Sequence, residues 1–171
     1  AIGTGDFHTL LENNKFLHHQ SSHGTAYCTC DGNKNYVKKT KKKGPDGQKE
    51  YECPKCNKHD KAVGCIMLKN FSNMFFDSHV KALAQPPKDL MFANCCLTSI
   101  TNAYPKTWVD KGTRWYIGWA LPVGDADAVA FAKAFYKRWM KNYEMQPDKV
   151  KKAFEDVKGP YAKYRPRIYG S

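Results

Sequence analysis

The chain has 171 residues, 42% of them hydrophobic, enough to bury one domain-sized core. No apolar run approaches about 18 residues, so no membrane span is predicted. The net charge of +12, from 28 Lys+Arg against 16 Asp+Glu, favours acidic partners such as nucleic acid or acidic protein surfaces. A merely soluble basic surface accounts for it as well, because much of the excess is lysine rather than arginine, the better reader of phosphate and guanine.

In chain order, "GDFHTLLENN" predicts a short helix with Asp6 as a candidate N-cap, and "KFLHHQS" a strand. Over residues 31–61 the composition turns Lys-, Gly- and Asp-rich, with the turn signal "GPDG" at 44–47. This segment predicts an inserted hairpin without an apolar core of its own. "AVGCIML" returns to strand character. "FSNMFFDSHVKALA" has near-helical apolar spacing, with Ser72 or Asn73 as a cap. "PPKDLMFANCC" and "TRWYIGWALPV" predict strands. "DADAVAFAKAFYKRWMKN" is the clearest helix, with Asp125 at its expected N-cap, and "QPDKVKKAFEDVK" predicts a second. The tail "GPYAKYRPRIYGS" has no period and is expected to wrap the surface or hang loose. Short apolar strands alternating with helices imply an α/β sandwich with a mostly parallel sheet, whose chemistry belongs at the carboxyl ends of its strands.

Seven cysteines, Cys28, Cys30, Cys53, Cys56, Cys65, Cys95 and Cys96, cannot all pair within one chain. They suit a reducing, cytoplasmic setting, and the first ten residues lack the basic start and apolar core of a signal peptide. Cys28-x-Cys30 and Cys53-x-x-Cys56 form two knuckle-like pairs 22 residues apart. Four thiolates on two tight turns suit a structural zinc ion, which would supply folding energy to a Lys-rich segment lacking a core. Redox thiols or a disulfide are the alternatives; His59 is a reserve ligand. The zinc-ribbon-like hairpin is thus expected over 28–61. Its lysines "KKTKKKG" suit nucleic acid, an acidic partner, part of a substrate or plain solvent.

Two reactive groups follow predicted strands. His23 ends "HHQSSHG" and Cys96 ends "LMFANCC". An imidazole beside a thiol can take its proton and return it to a leaving amine. A glycine after the histidine, Gly24, lets an N–H approach a developing oxyanion. A structural histidine and an inert buried cysteine are the plainer alternatives.

The order of these pieces resembles the caspase-like cysteine peptidases, in particular the CHAT family. The pattern is a strand with His-Gly, a strand and short helix ("CIMLKNFSNMFFDSHVKAL"), and a strand ending in a small residue and Cys ("LMFANCCLTS"). A final strand and helix follow ("GTRWYIGWALPVGDADAVAFAKAFYKRW"), with Phe135-Tyr136 in register. The resemblance covers most of residues 6–157 outside the insert. It implies a caspase-like three-layer sandwich spanning 1–171, with His23 as base and Cys96 as nucleophile, Cys95 falling on the preceding small residue. The N–H groups of Gly24 and Cys96 would bind the oxyanion. Asp125 and Asp127 would be candidate contacts to a substrate Lys or Arg. His23 and Cys96 lie 73 positions apart; with the 31-residue insert set aside the separation is 42, near the caspase value of about 50. Leu121 replaces the usual Trp, "LTS" after Cys96 carries no glycine, and the first strand–helix–strand has no counterpart before residue 6. The resemblance then implies a fragment, a processed subunit or a shortened variant, in which the missing sheet edge either weakens the fold or is supplied by another chain. The implied function is a cysteine endopeptidase acting on protein or peptide, switched by a protein partner. The alternatives are a zinc-ribbon module binding nucleic acid or a partner, and a catalytically inactive caspase-like scaffold.

Overall fold

The computed structural model describes residues 4–13, 15–68, 73–140 and 146–170. The helices are α1 (Thr4–Asn13), α2 (Asp77–Ala82), α3 (Ala103–Lys111), α4 (Asp125–Trp139) and α5 (Val150–Val157). The strands are β1 (Leu17–Ser21), β2 (Gly24–Cys28), β3 (Asn35–Tyr36), β4 (Lys38–Lys43), β5 (Lys49–Glu52), β6 (Val63–Leu68), β7 (Asn73–Phe75), β8 (Leu90–Asn94), β9 (Trp115–Trp119) and β10 (Pro166–Gly170). Short 3-10 turns at Pro147–Lys149 and Gly159–Tyr164 flank α5.

The principal sheet has the order β1-β8-β9-β10. β1, β8 and β9 run parallel, and β10 closes the far edge antiparallel to β9. The residues of β8 and β9 are buried throughout, as a parallel sheet covered on both faces requires. Alternation sends Met91, Ala93 and Tyr116 to one face, against α1, α2, α3 and the second sheet. Leu90, Phe92, Trp115, Ile117 and Trp119 face the other side, against Phe131, Phe135 and Trp139 of α4 and Val150 and Phe154 of α5. The protein is thus a layered, mixed α/β structure.

Several elements differ from the sequence reading. "AVGCIML" forms β6 but joins an antiparallel sheet, β3-β2-β6-β7, instead of the parallel one. The helix expected across 71–84 is only α2; Asn73–Phe75 pairs with β6 as β7, so sheet pairing overrides the helical spacing. The cap expected at Ser72 lies outside the described residues, and Phe76 occupies the cap position of α2. Gly124 occupies that of α4, with Asp125 one residue inside the helix. The tail is not loose. Pro166–Gly170 pairs with Trp119–Trp115 as β10, because the edge of β9 offers unpaired backbone groups that a nonperiodic strand can satisfy. β4 and β5 form a separate two-stranded ribbon about the GPDG turn. Among the described residues, no helix is long and apolar enough to cross a membrane.

Deleting the chain from Pro166 onward is expected to lower the thermal midpoint and promote self-association through the bared edge of β9, read by calorimetry and size-exclusion chromatography. Unchanged behaviour in both would show that β10 adds nothing to the sheet.

Candidate functional site

Parallel pairing aligns Ser21 at the end of β1 with Asn94 at the end of β8. His23 and Cys96 each lie two residues beyond that last pair, so both leave the same edge of the sheet. They share the wall of an open cleft of ≈ 310 Å³, to which Asn94, Val123, Asp125 and Val129 also contribute.

Strand alternation separates the three histidines of "HHQSSHG". His18 is buried edge-on against Phe7. His19 stacks on Phe92 with ring centroids 4.6 Å apart. Burial, with His18 second, pulls the His19 imidazole down to about 4, so it stays neutral near pH 7. His23 lies past the strand end, exposed at the cleft.

The adjacent cysteines diverge as sharply. Cys95 is buried, its Sγ 3.4 Å from both the Gln20 carbonyl and Ser22 Oγ, and burial pushes its thiol up to about 12. Cys96 lines the cleft. Its Sγ accepts from the Val123 N–H at 3.4 Å and contacts the Val123 carbonyl at 3.7 Å. Burial raises the Cys96 thiol above its ordinary value; the Val123 N–H opposes this and the Asp125 charge adds to it. The resting sulfur therefore holds its proton at neutral pH.

The turn after β8 is held from several sides. Leu97 has φ +59°, the left-handed region that glycine favours and that costs other residues about 1–2 kcal/mol. The missing glycine after Cys96 thus does not prevent this conformation. Thr98 Oγ1 donates to the Cys95 carbonyl at 3.0 Å, and the Ser99 N–H to the Trp119 carbonyl at 3.0 Å. β2 crosses so closely that a Cβ on Gly24 would overlap the Cys96 carbonyl oxygen. Only glycine fits directly after His23.

Asp125 and Asp127 are not brought together. Asp125 lines the Cys96 cleft. Asp127 accepts a hydrogen bond from the Tyr164 hydroxyl and has Lys163 Nζ at 4.0 Å, so it serves the tail. Asn94, unassigned in the sequence reading, is buried beside the cleft. It accepts from Trp119 Nε1 at 2.8 Å and donates to the Ala128 carbonyl at 3.2 Å. Its sequence signal was a lone amide ending an apolar strand.

A second cluster lies where the ribbon meets β2. The Sγ atoms of Cys28, Cys30, Cys53 and Cys56 all lie within 4.8 Å of one another. Cys28–Cys56 is 3.8 Å and Cys30–Cys53 3.7 Å. For metal–sulfur bonds of about 2.3 Å, the edge of a regular tetrahedron is about 3.8 Å. The four cysteines therefore fit a metal ion. The Lys55 N–H points at Cys53 Sγ from 3.4 Å, and Asn57 turns the knuckle with φ +54°. Burial works to raise the Cys53 thiol, but the N–H groups of Cys56 and Lys55 bring it down to about 7. His59 stands outside the cluster, its Nδ1 2.9 Å from the Tyr51 carbonyl.

The protein is expected to carry one metal ion per chain, and Cys30→Ser with Cys56→Ser to lose it, by elemental analysis. Full retention in the double variant would exclude the cluster as its ligands. For Cys96, the midpoint of alkylation by iodoacetamide against pH is expected above the free-thiol value of about 8.5. Asp125→Asn should bring it down, because the variant removes a negative charge that opposes the thiolate. A wild-type midpoint below that value would mean that Cys96 already rests as a thiolate. In comparison with known proteins, no family model matches the chain, and no curated protein matches it.

Proposed function

We propose that this protein is a cysteine endopeptidase of the caspase-like, CHAT type, with His23 as general base, Cys96 as nucleophile and a structural zinc ion in an inserted hairpin. The observation that carries the reading is the shared register of the two strands, which gives His23 and Cys96 one cleft while His18 and Cys95 are buried and half-buried His19 stacks on Phe92.

Because burial keeps the resting thiol protonated, proton transfer accompanies attack. As Cys96 Sγ bonds to a substrate carbonyl carbon, its proton passes to the His23 imidazole. The carbonyl electron pair moves onto oxygen, where the N–H groups of Cys96 and Gly24 would stabilise it. Collapse breaks the C–N bond, and the His23 imidazolium returns its proton to the leaving amine. Water, deprotonated by His23, then hydrolyses the thioester and frees Cys96. Asp125 beside the thiol favours a neutral or basic substrate residue there.

Cys28, Cys30, Cys53 and Cys56 would hold the zinc; four thiolates leave no open coordination position, so its contribution is cross-linking. That cross-link fastens the ribbon to β2, which begins directly after His23. Proteolysis in a cytoplasmic setting, with a protein partner as switch, is the corresponding physiological reading.

A peptide library incubated with zinc-loaded protein is expected to yield new N-termini by mass spectrometry. Cys96→Ala should abolish them, and His23→Ala should lower kcat/KM by about 10²–10⁴-fold. Cleavage that survives Cys96→Ala would sink the assignment. A well-folded wild type that neither cleaves nor acylates Cys96 with a peptidyl electrophile would leave an inactive scaffold.

A further inference from the structure

Beside the Cys96 cleft lies a second concavity, of ≈ 360 Å³, lined by Lys39, Lys43, Lys49, Lys163, Tyr51 and Tyr164. Lys39 pairs across the ribbon with Tyr51, and Lys43 with Lys49. Among the described residues, only Lys163 of these four lysines has a carboxylate within ion-pair range, Asp127 at 4.0 Å. The ribbon's own acids are engaged elsewhere. Asp46 and Glu50 both grip Arg165, with Nε–Oδ2 at 2.6 Å and Nη2–Oε1 at 2.9 Å. Glu52 takes Lys42 at 2.9 Å. The fold therefore gathers several cations in one hollow and spends the nearby anions on holding the ribbon in place. Like charges so confined favour an anionic occupant.

The two clefts adjoin. Leu121 and Pro122 line the basic one, while Val123, the next residue, lines the other and binds Cys96 Sγ. Tyr51 and Cys96 pack against the same apolar cluster of Ala26, Ala62, Leu97 and Ile100. Charge is divided between them: Asp125 stands beside the thiol, and the lysines stand next door. An extended chain advances about 3.3 Å per residue, so a few residues carry a polypeptide from one cleft into the other.

We infer that the basic cleft docks an acid-rich segment of a polypeptide, namely the stretch of substrate flanking the bond presented to Cys96. The word substrate rests on the peptidase reading; the docking site itself does not. Glutamate or aspartate side chains would enter among Lys39, Lys43 and Lys49, while a non-acidic residue faces Asp125. A polypeptide suits the cleft better than nucleic acid. Among the described residues no arginine lines the hollow, Tyr164 is committed through its hydroxyl to Asp127 and through its ring to Lys163 and Trp119, and Tyr51 packs on the Ala26, Ala62, Leu97 and Ile100 cluster.

The test uses zinc-loaded full-length Cys96→Ala protein, so that binding is read without turnover. Fluorescence anisotropy compares a peptide carrying a run of glutamates with its glutamine counterpart and with a single-stranded oligonucleotide. The glutamate peptide is expected to bind, and Lys39→Glu with Lys43→Glu to weaken it by about tenfold or more. The charge-matched pair Lys133→Glu with Lys151→Glu, on α4 and α5, should leave it within about twofold. Equal binding of the glutamate and glutamine peptides, or equal losses in the two double variants, would overturn the site as a specific acid-binding cleft. Tighter binding of the oligonucleotide, lost with the same ribbon lysines, would reassign it to nucleic acid. If docking holds while wild-type protein cleaves nothing, the peptidase reading fails and the docking site stands.

Discussion

The parallel pairing of β1 with β8 is the constraint on which the rest of the site depends. Its register sets Ser21 against Asn94, and everything reactive follows from where the two chains go next. One chain turns within two residues into β2 after His23; the other enters the tight turn carrying Cys96. A register slip of one residue would turn the buried faces of β1 toward the wrong layers. It would then set Phe92 and His19, now stacked, on different partners. The aromatic layer against α4 supports that register: Phe92 contacts Phe131 and Phe135 edge-on, and His19 of β1, paired with Phe92, stacks on it beside Tyr136.

The turn after β8 is crowded because two layers converge on it. Gly24 presses on the Cys96 carbonyl, and a Cβ on Gly64 of β6 would overlap the backbone of Thr98. The second sheet is thus packed directly on the segment that presents the thiol. From the other side, Trp119 reaches Asn94, and Ser99 is tied to the Trp119 carbonyl. Cys96 sits between these supports, with its sulfur held by the backbone of Val123. These supports hold the thiol in one position on the cleft wall.

The ribbon is attached by two different means. The cysteine cluster anchors its base to β2, and Arg165 anchors its turn to the tail that precedes β10. Arg165 adopts φ +49°; its N–H donates to the Ala162 carbonyl and its own carbonyl accepts from Ala120, while Asp46 within the GPDG turn and Glu50 beyond it hold its guanidinium. The same clamp neutralises the acids nearest the lysines, so attachment of the ribbon and the basic character of the hollow have one cause.

Much of this was written in local sequence. The strands around Leu17, Leu90 and Trp115, the long helix from Asp125 and the GPDG turn declare themselves through periodicity and turn chemistry, which depend on neighbouring residues alone. So do the two cysteine pairs, since knuckle spacing is a local property. The β7 pairing of Asn73–Phe75, the β10 strand in the tail and the Arg165 clamp were not legible. β10 and the clamp depend on partners far along the chain, Trp119–Trp115 and Asp46 with Glu50, whereas β7 folds back on nearby Leu68–Ile66 and is set by sheet pairing that overrides its helical spacing. The sequence pattern singled out His23 and Cys96 as the candidate base and nucleophile. Which imidazole and which thiol reach the cleft was decided by tertiary structure, because burial and exposure at a strand end are set by the layers packed around it.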